Sequence, residues 1–206
     1  MELAIESTRG GTWGLPALEL DDRDLILRCQ AGDRSAFEPI VLRYNRRAAA
    51  FALGWTGNRE DALELSQEAF ARAYRALHRF DPSRPFYPWF HRILKNLCID
   101  HLGRARRLHE VPLDDVAPIA SDRSSPQERA ERAERRRAVW EALRRLSPMD
   151  REILILREFQ GLTYAELATV LQIPKGTVMS RLHNSRKRLR AELEALHPDL
   201  FERRAD

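Results

Sequence analysis

Apolar residues recur at three- and four-residue intervals through most of this chain, and nowhere do they alternate with polar ones as a half-buried strand requires. That pattern restricts the fold to helices. Phe37, Ile40, Val41, Tyr44, Ala48, Phe51 and Leu53 form one stripe behind Asp33, a residue suited to capping a helix, and Gly54 to Gly57 interrupts it. Asn58 opens a second helix with Leu63, Phe70, Tyr74 and Leu77 inward and Glu60, Asp61, Glu64 and Glu68 on its other faces. Acids in a first turn complement the helix dipole, which by itself explains this acidic patch. After a break at Pro82 and Pro85, a third helix over about Pro88 to Arg107 begins in aromatics and ends in cations.

A change of composition divides the chain. Residues 108–127 carry four acids against one cation, with three prolines, three serines and no helical period. About twenty structureless residues inside one domain would be unusual, so this stretch is expected to be a flexible acidic linker between two small helical domains. Beyond it, a helix of Glu128 to Leu146 is followed by Ser147-Pro148-Met149-Asp150, a helix start with a hydroxyl cap and proline in the first turn. Gly161 stops that helix, and Thr163 with Glu166 forms a capping box for a short helix to Leu171. Gln172-Ile173-Pro174 turns the chain into a longer helix reaching Leu196. A capped short helix, a tight turn and a longer basic helix have the layout of a helix-turn-helix.

The charge balance points to a polyanion. Only three of the 35 cations are lysine (Lys95, Lys175 and Lys187), and the rest are arginine, whose planar fork suits phosphates and guanine edges. Residues 175–190 hold six cations and no acid. Lys175, Thr177, Met179, Ser180, Arg181, His183 and Asn184 fall on or beside the outward face near that helix's start, the end that reaches base edges. A solvated basic helix in an ordinary bundle would share the pattern, but the lack of any compensating acid favours DNA. His91 to Arg107 is also basic and follows Phe86, Tyr87, Trp89 and Phe90, a combination suited to single strands. Aromatics so spaced also serve as core.

Several classes fall away. No apolar stretch is long enough to span a bilayer, and residues 1–20 lack the apolar segment of a secretory signal. Cys29 and Cys98 stand alone, which fits a reduced, cytoplasmic setting. The six histidines show no metal-ligand spacing, and no glycine-rich phosphate loop or nucleophile elbow is present. No enzyme activity, metal or cofactor is expected.

Three stretches resemble the extracytoplasmic-function sigma factors of bacterial RNA polymerase. Asp61 to Phe70 is similar to D-A-E-D-L-x-Q-E-x-F. Phe86 to Asn96, with Asp100 and Arg104, is similar to F-x-x-W-L-x-R-I-x-x-N-x-x-x-D-x-x-R. Leu146 to Leu189 resembles the family's C-terminal helix-turn-helix. The resemblance implies a region 2 domain at 21–107, the acidic linker at 108–127 and a region 4 domain at 128–206, behind an N-terminal extension at 1–20. It implies that Asp61, Glu64, Gln67 and Glu68 contact the clamp helices of the polymerase's largest subunit. Trp89 and Asn96 would lie near the flipped base of the minus-ten element, with Arg92 and Arg104 near its backbone. Ser180, His183 and Asn184, with Thr177 and Arg181 beside them, would face the minus-thirty-five duplex, and Lys175, Lys187 and Arg188 its phosphates. An anti-sigma protein is the further partner implied. Leu63 stands where the family commonly has Glu, and Glu64 where it has Asp, so polymerase contacts should be trimmed; Met179 and Asn184 stand where it often has Arg, so the preferred promoter should differ. A stand-alone helix-turn-helix repressor or activator is the competing reading; it would hold duplex DNA without polymerase.

Overall fold

The computed structural model describes residues 20–108 and 125–199, which form eight α-helices and no strand. Helix α1 (Asp22–Gln30) is started by Asp21, whose carboxylate accepts from Asp24 N at 2.8 Å. Asp33 caps a short 3-10 turn rather than the long helix itself, and α2 (Phe37–Thr56) follows directly. It continues through Gly54 and ends at Gly57, whose φ of 69° is a left-handed geometry that glycine adopts without strain. Asn58 caps α3 (Arg59–Ala76) by accepting from Glu60 N and Asp61 N. The proline-bearing break leads to α4 (Phe86–Leu108).

These helices enclose an aromatic core. Phe70 and Phe90 stack with ring centres 4.4 Å apart, and Phe90 stacks in turn on Phe86 at 5.7 Å. Leu25 and Ile26 bury α1 against the same core. Each fully buried side chain of this size contributes about 1.5–3 kcal/mol.

The second group of helices begins with α5 (Pro126–Arg145), started by a complete capping box of Ser125 and Glu128. Helix α6 (Pro148–Leu154) runs into a π-helical turn at Ile155–Phe159. Helix α7 (Tyr164–Leu171) carries the Thr163–Glu166 capping box anticipated from the sequence. Gln172, at φ 54°, makes the left-handed turn into α8 (Lys175–Leu196). Val178 and Leu182 bury one face of α8 in the apolar core that also holds Leu162 and Leu167, leaving its opposite face in solvent.

The two groups pack directly on each other, and their buried side chains form one apolar cluster. Ile155 lies against Gly54, and the Arg151 guanidinium sits 5.2 Å above the Trp55 ring. Arg144 donates to Thr56 O at 2.8 Å, and Tyr87 OH donates to Gln160 Oε1 at 2.6 Å. The acidic segment between them lies outside the described residues except at its two ends, as do residues 1–19.

Candidate nucleic-acid interface

Helix α8 presents a polar, basic face. Val178, Leu182 and Ser185 point inward, so Lys175, Ser180, His183, Asn184, Lys187 and Arg188 are exposed, with Thr177 and Arg181 half-buried. No acid lies on the helix before Glu192. The Ser180 hydroxyl turns back toward the carbonyls of Thr177 and Gly176, at 3.2 and 3.4 Å. Arg188 is partly engaged: its Nη1 donates to both oxygens of Asp150 at 2.8 Å. Burial opposes ionisation of Asp150, but hydrogen bonds from Ser185, Ser147 and Arg188 outweigh it and hold the pKa below the usual carboxylate range.

A second surface is built on α4. Trp89 is half-buried, with its ring centre 4.6 Å from that of Phe80 and 5.6 Å from that of Phe86. Arg92, Asn96 and Arg104 project from the same helix and are exposed. Trp89 and Arg92 line a cleft of about 880 Å³ whose other wall includes Leu171, Ile173 and Arg181 from the helix-turn-helix. The structure thus brings Trp89, Arg92 and Arg181 together and leaves Asn96 and Arg104 outside the cleft.

A third, acidic surface lies on α3. Glu64 and Gln67 are exposed, while Asp61 is half-buried with His101 Nε2 at 3.3 Å. Glu68 accepts from Arg72 at 2.7 Å and Arg75 at 3.3 Å, and the Arg72 bond is the main reason its pKa is lowered. Leu63 and Tyr74, expected inward from their spacing, are instead exposed, because α3 turns Ala62, Leu65, Ala69, Phe70 and Ala73 into the core, and this leaves Leu63 beside the acids.

Comparison with known proteins places this geometry in a family. Residues 40–108 match the family described as Sigma-70 region 2, and residues 136–189 match Sigma-70, region 4. The RNA polymerase sigma-H factor of Pseudomonas aeruginosa is 34% identical over 183 residues, covering 85% of this chain and 95% of that protein. The ECF RNA polymerase sigma-E factor of Escherichia coli K12 is 32% identical, covering 86% of this chain and 97% of its own length. The chain belongs to the extracytoplasmic-function sigma factors. Sigma factors bind core RNA polymerase and direct promoter-specific initiation. Among solved structures, CnrH in complex with the cytosolic domain of CnrY is similar, with a TM-score of 0.61, 28% identity, and coverage of 84% of this chain and 97% of CnrH.

This sigma factor holds its two halves together through residues that sequence reasoning passed over. Glu152 is buried between them, where His91 Nε2 donates at 3.0 Å and Lys95 Nζ at 2.6 Å. Its burial disfavours the charged form, yet those two donors more than compensate and lower its pKa. Asp150, Arg151 and Glu152 are three consecutive charged residues, all buried, in a position that composition would assign to solvent. The available signal was their placement between a helix cap and the apolar run Ile153 to Leu156. Among the described residues of this sigma factor, no cluster of His, Cys, Asp and Glu could hold a metal, and no helix is long and apolar enough to cross a membrane.

Proposed function

We propose that residues 21–107 of this sigma factor bind core polymerase and open the minus-ten element, while residues 128–206 read the minus-thirty-five duplex. Asp61, Glu64, Gln67 and Glu68 meet the clamp helices. Trp89 and Asn96 receive the flipped base, and Arg92 and Arg104 hold the neighbouring backbone. Ser180, His183 and Asn184 face base edges with Thr177 and Arg181 at their flank, and Lys175, Lys187 and Arg188 face phosphate. The observation that carries this reading is a pair of nucleic-acid surfaces of different kind on one chain. One is the acid-free outer face of α8, shaped for a groove; the other is the half-buried Trp89 with exposed Arg92 at one cleft, and exposed Asn96 two turns further along the same helix, a combination suited to a base that has left its stack.

The closed packing has a consequence for this role. Elements named for positions minus ten and minus thirty-five lie roughly 85 Å apart along a duplex at 3.4 Å per base pair. Trp89 and Arg181 line one cleft, so the two halves separate when both elements are engaged. The protein acts in the cytoplasm, performs no chemistry of its own, and is held in check by an anti-sigma protein covering the same surfaces. The test is promoter binding by the protein with and without core polymerase: specific binding should require core. Tight, sequence-specific binding by the free protein, unchanged by core, would favour a stand-alone regulator and overturn the proposal.

A further inference from the structure

On the outer face of α8 one side chain does not match its neighbours. Met179 is 55% exposed, whereas the nearby apolar residues Val178 and Leu182 are buried. From residue 175 to 190 the other exposed side chains are polar or cationic, and Met179 is the single large apolar group among them. One turn earlier stands Gly176, where an added Cβ would meet nothing within 4 Å and no left-handed backbone is adopted. Glycine in a helix is unfavourable relative to alanine, and here no contact within the protein calls for it. The two residues stand three positions apart, on one face at the start of α8, so a position without a side chain adjoins a flexible thioether. Ser180, beside them, already directs its hydroxyl to the helix's own carbonyls.

We propose that Met179 is a specificity-determining residue that selects thymine at one position of the upstream element by packing on its C5-methyl group. This rests on the reading that α8 enters the major groove. The thymine methyl is the apolar group displayed on base edges there, and a thioether offers no N–H donor for guanine O6 or N7. Methionine is also flexible and polarizable enough to follow a methyl without strict geometry. Gly176, lacking a side chain, lets the helix settle closely enough for Met179 to reach. Burial of one methyl-sized group corresponds to about fourfold in affinity.

The experiment uses holoenzyme, the full chain with core polymerase, to select from promoter libraries randomised in the upstream element. One library contains thymidine and the other deoxyuridine, which keeps the hydrogen-bonding edge but lacks the methyl. Wild type should favour T at one position, and the preference should fall about fourfold in the uracil library. Met179→Ala should bind the two libraries equally while keeping its other preferences, and Met179→Arg should shift that position toward G. Because Met179 is exposed, neither variant should lose the fold; circular dichroism confirms this. A methyl effect equal in Met179→Ala and wild type overturns the inference and leaves the α8 reading standing. Absence of any upstream preference in wild-type holoenzyme overturns both.

Discussion

Replacing Gly54 by alanine should force the two halves of the molecule apart. An alanine Cβ would lie 2.6, 2.7 and 2.8 Å from Cδ1, Cγ1 and Cγ2 of Ile155. Carbon atoms prefer about 3.5–4.0 Å, so α2 and the Ile155 turn must part by roughly 1 Å. Ile155 cannot simply swing aside: it is fully buried, and its π-helical turn is closed by Gln160 N to Ile155 O at 3.2 Å and Leu162 N to Leu156 O at 3.1 Å. Overpacking of this kind costs about 1–3 kcal/mol. The strain exists only while α2 touches the turn, so it falls on the closed form and lowers the closed-to-open ratio by about 5- to 150-fold. In a helix otherwise indifferent to the change, Gly→Ala is favourable by up to about 1 kcal/mol, so α2 itself should not weaken. Small-angle scattering of the free protein should give a larger radius of gyration for Gly54→Ala. Ile155→Ala removes the opposing carbons, so the double variant should be less perturbed than the sum of the singles. An unchanged radius, or strictly additive effects, would refute the reasoning.

Four further outcomes are expected. Glu152 has a lowered pKa in the closed form, so its stabilisation is present above the ordinary value of 4.5 and is lost as pH falls through the depressed one. Scattering should therefore show no Glu152-dependent opening between about pH 6 and 8, and an acid opening that Glu152→Gln blunts. Lys187→Ala should weaken holoenzyme binding on every promoter and reduce the salt slope by about 0.9. Arg188→Ala should do the same and also lower the melting temperature, because it leaves Asp150 short of a partner. Asp61→Arg should impair competition for core polymerase more than Gln67→Ala, since single exposed charge contacts contribute only about 0–1 kcal/mol whereas reversal adds repulsion.

Local signals carried most of the fold. Asn58, Ser147 and the Thr163–Glu166 pair cap the helices they were expected to cap, because capping depends on a few adjacent residues. Helix α1 was not legible: Leu25 and Ile26 are its only buried residues, too few to make a stripe. The expected interruption at Gly54 failed for a tertiary reason, since α2 passes through a glycine that makes room for Ile155. The outward face of α8 was readable from charge alone. Its Arg188–Asp150 link was not, because the two lie 38 residues apart. The same holds for the interface between the halves, where Glu152 meets His91 and Lys95 across a sequence separation of about sixty residues. Such single contacts leave no periodic trace.

Permanganate reactivity of thymines in the minus-ten element, with core polymerase present, tests the central claim most directly. Asn96 is exposed on α4 and offers a donor and an acceptor to an extruded base, so Asn96→Ala should not disturb the core. Wild-type protein with core should render those thymines reactive, and neither component alone should. Asn96→Ala should lower reactivity sharply while upstream duplex protection by α8 stays nearly intact. Full reactivity with Asn96→Ala on a promoter that wild type melts would place the pocket elsewhere. Equal upstream protection with no melting by wild-type holoenzyme would contradict the account altogether.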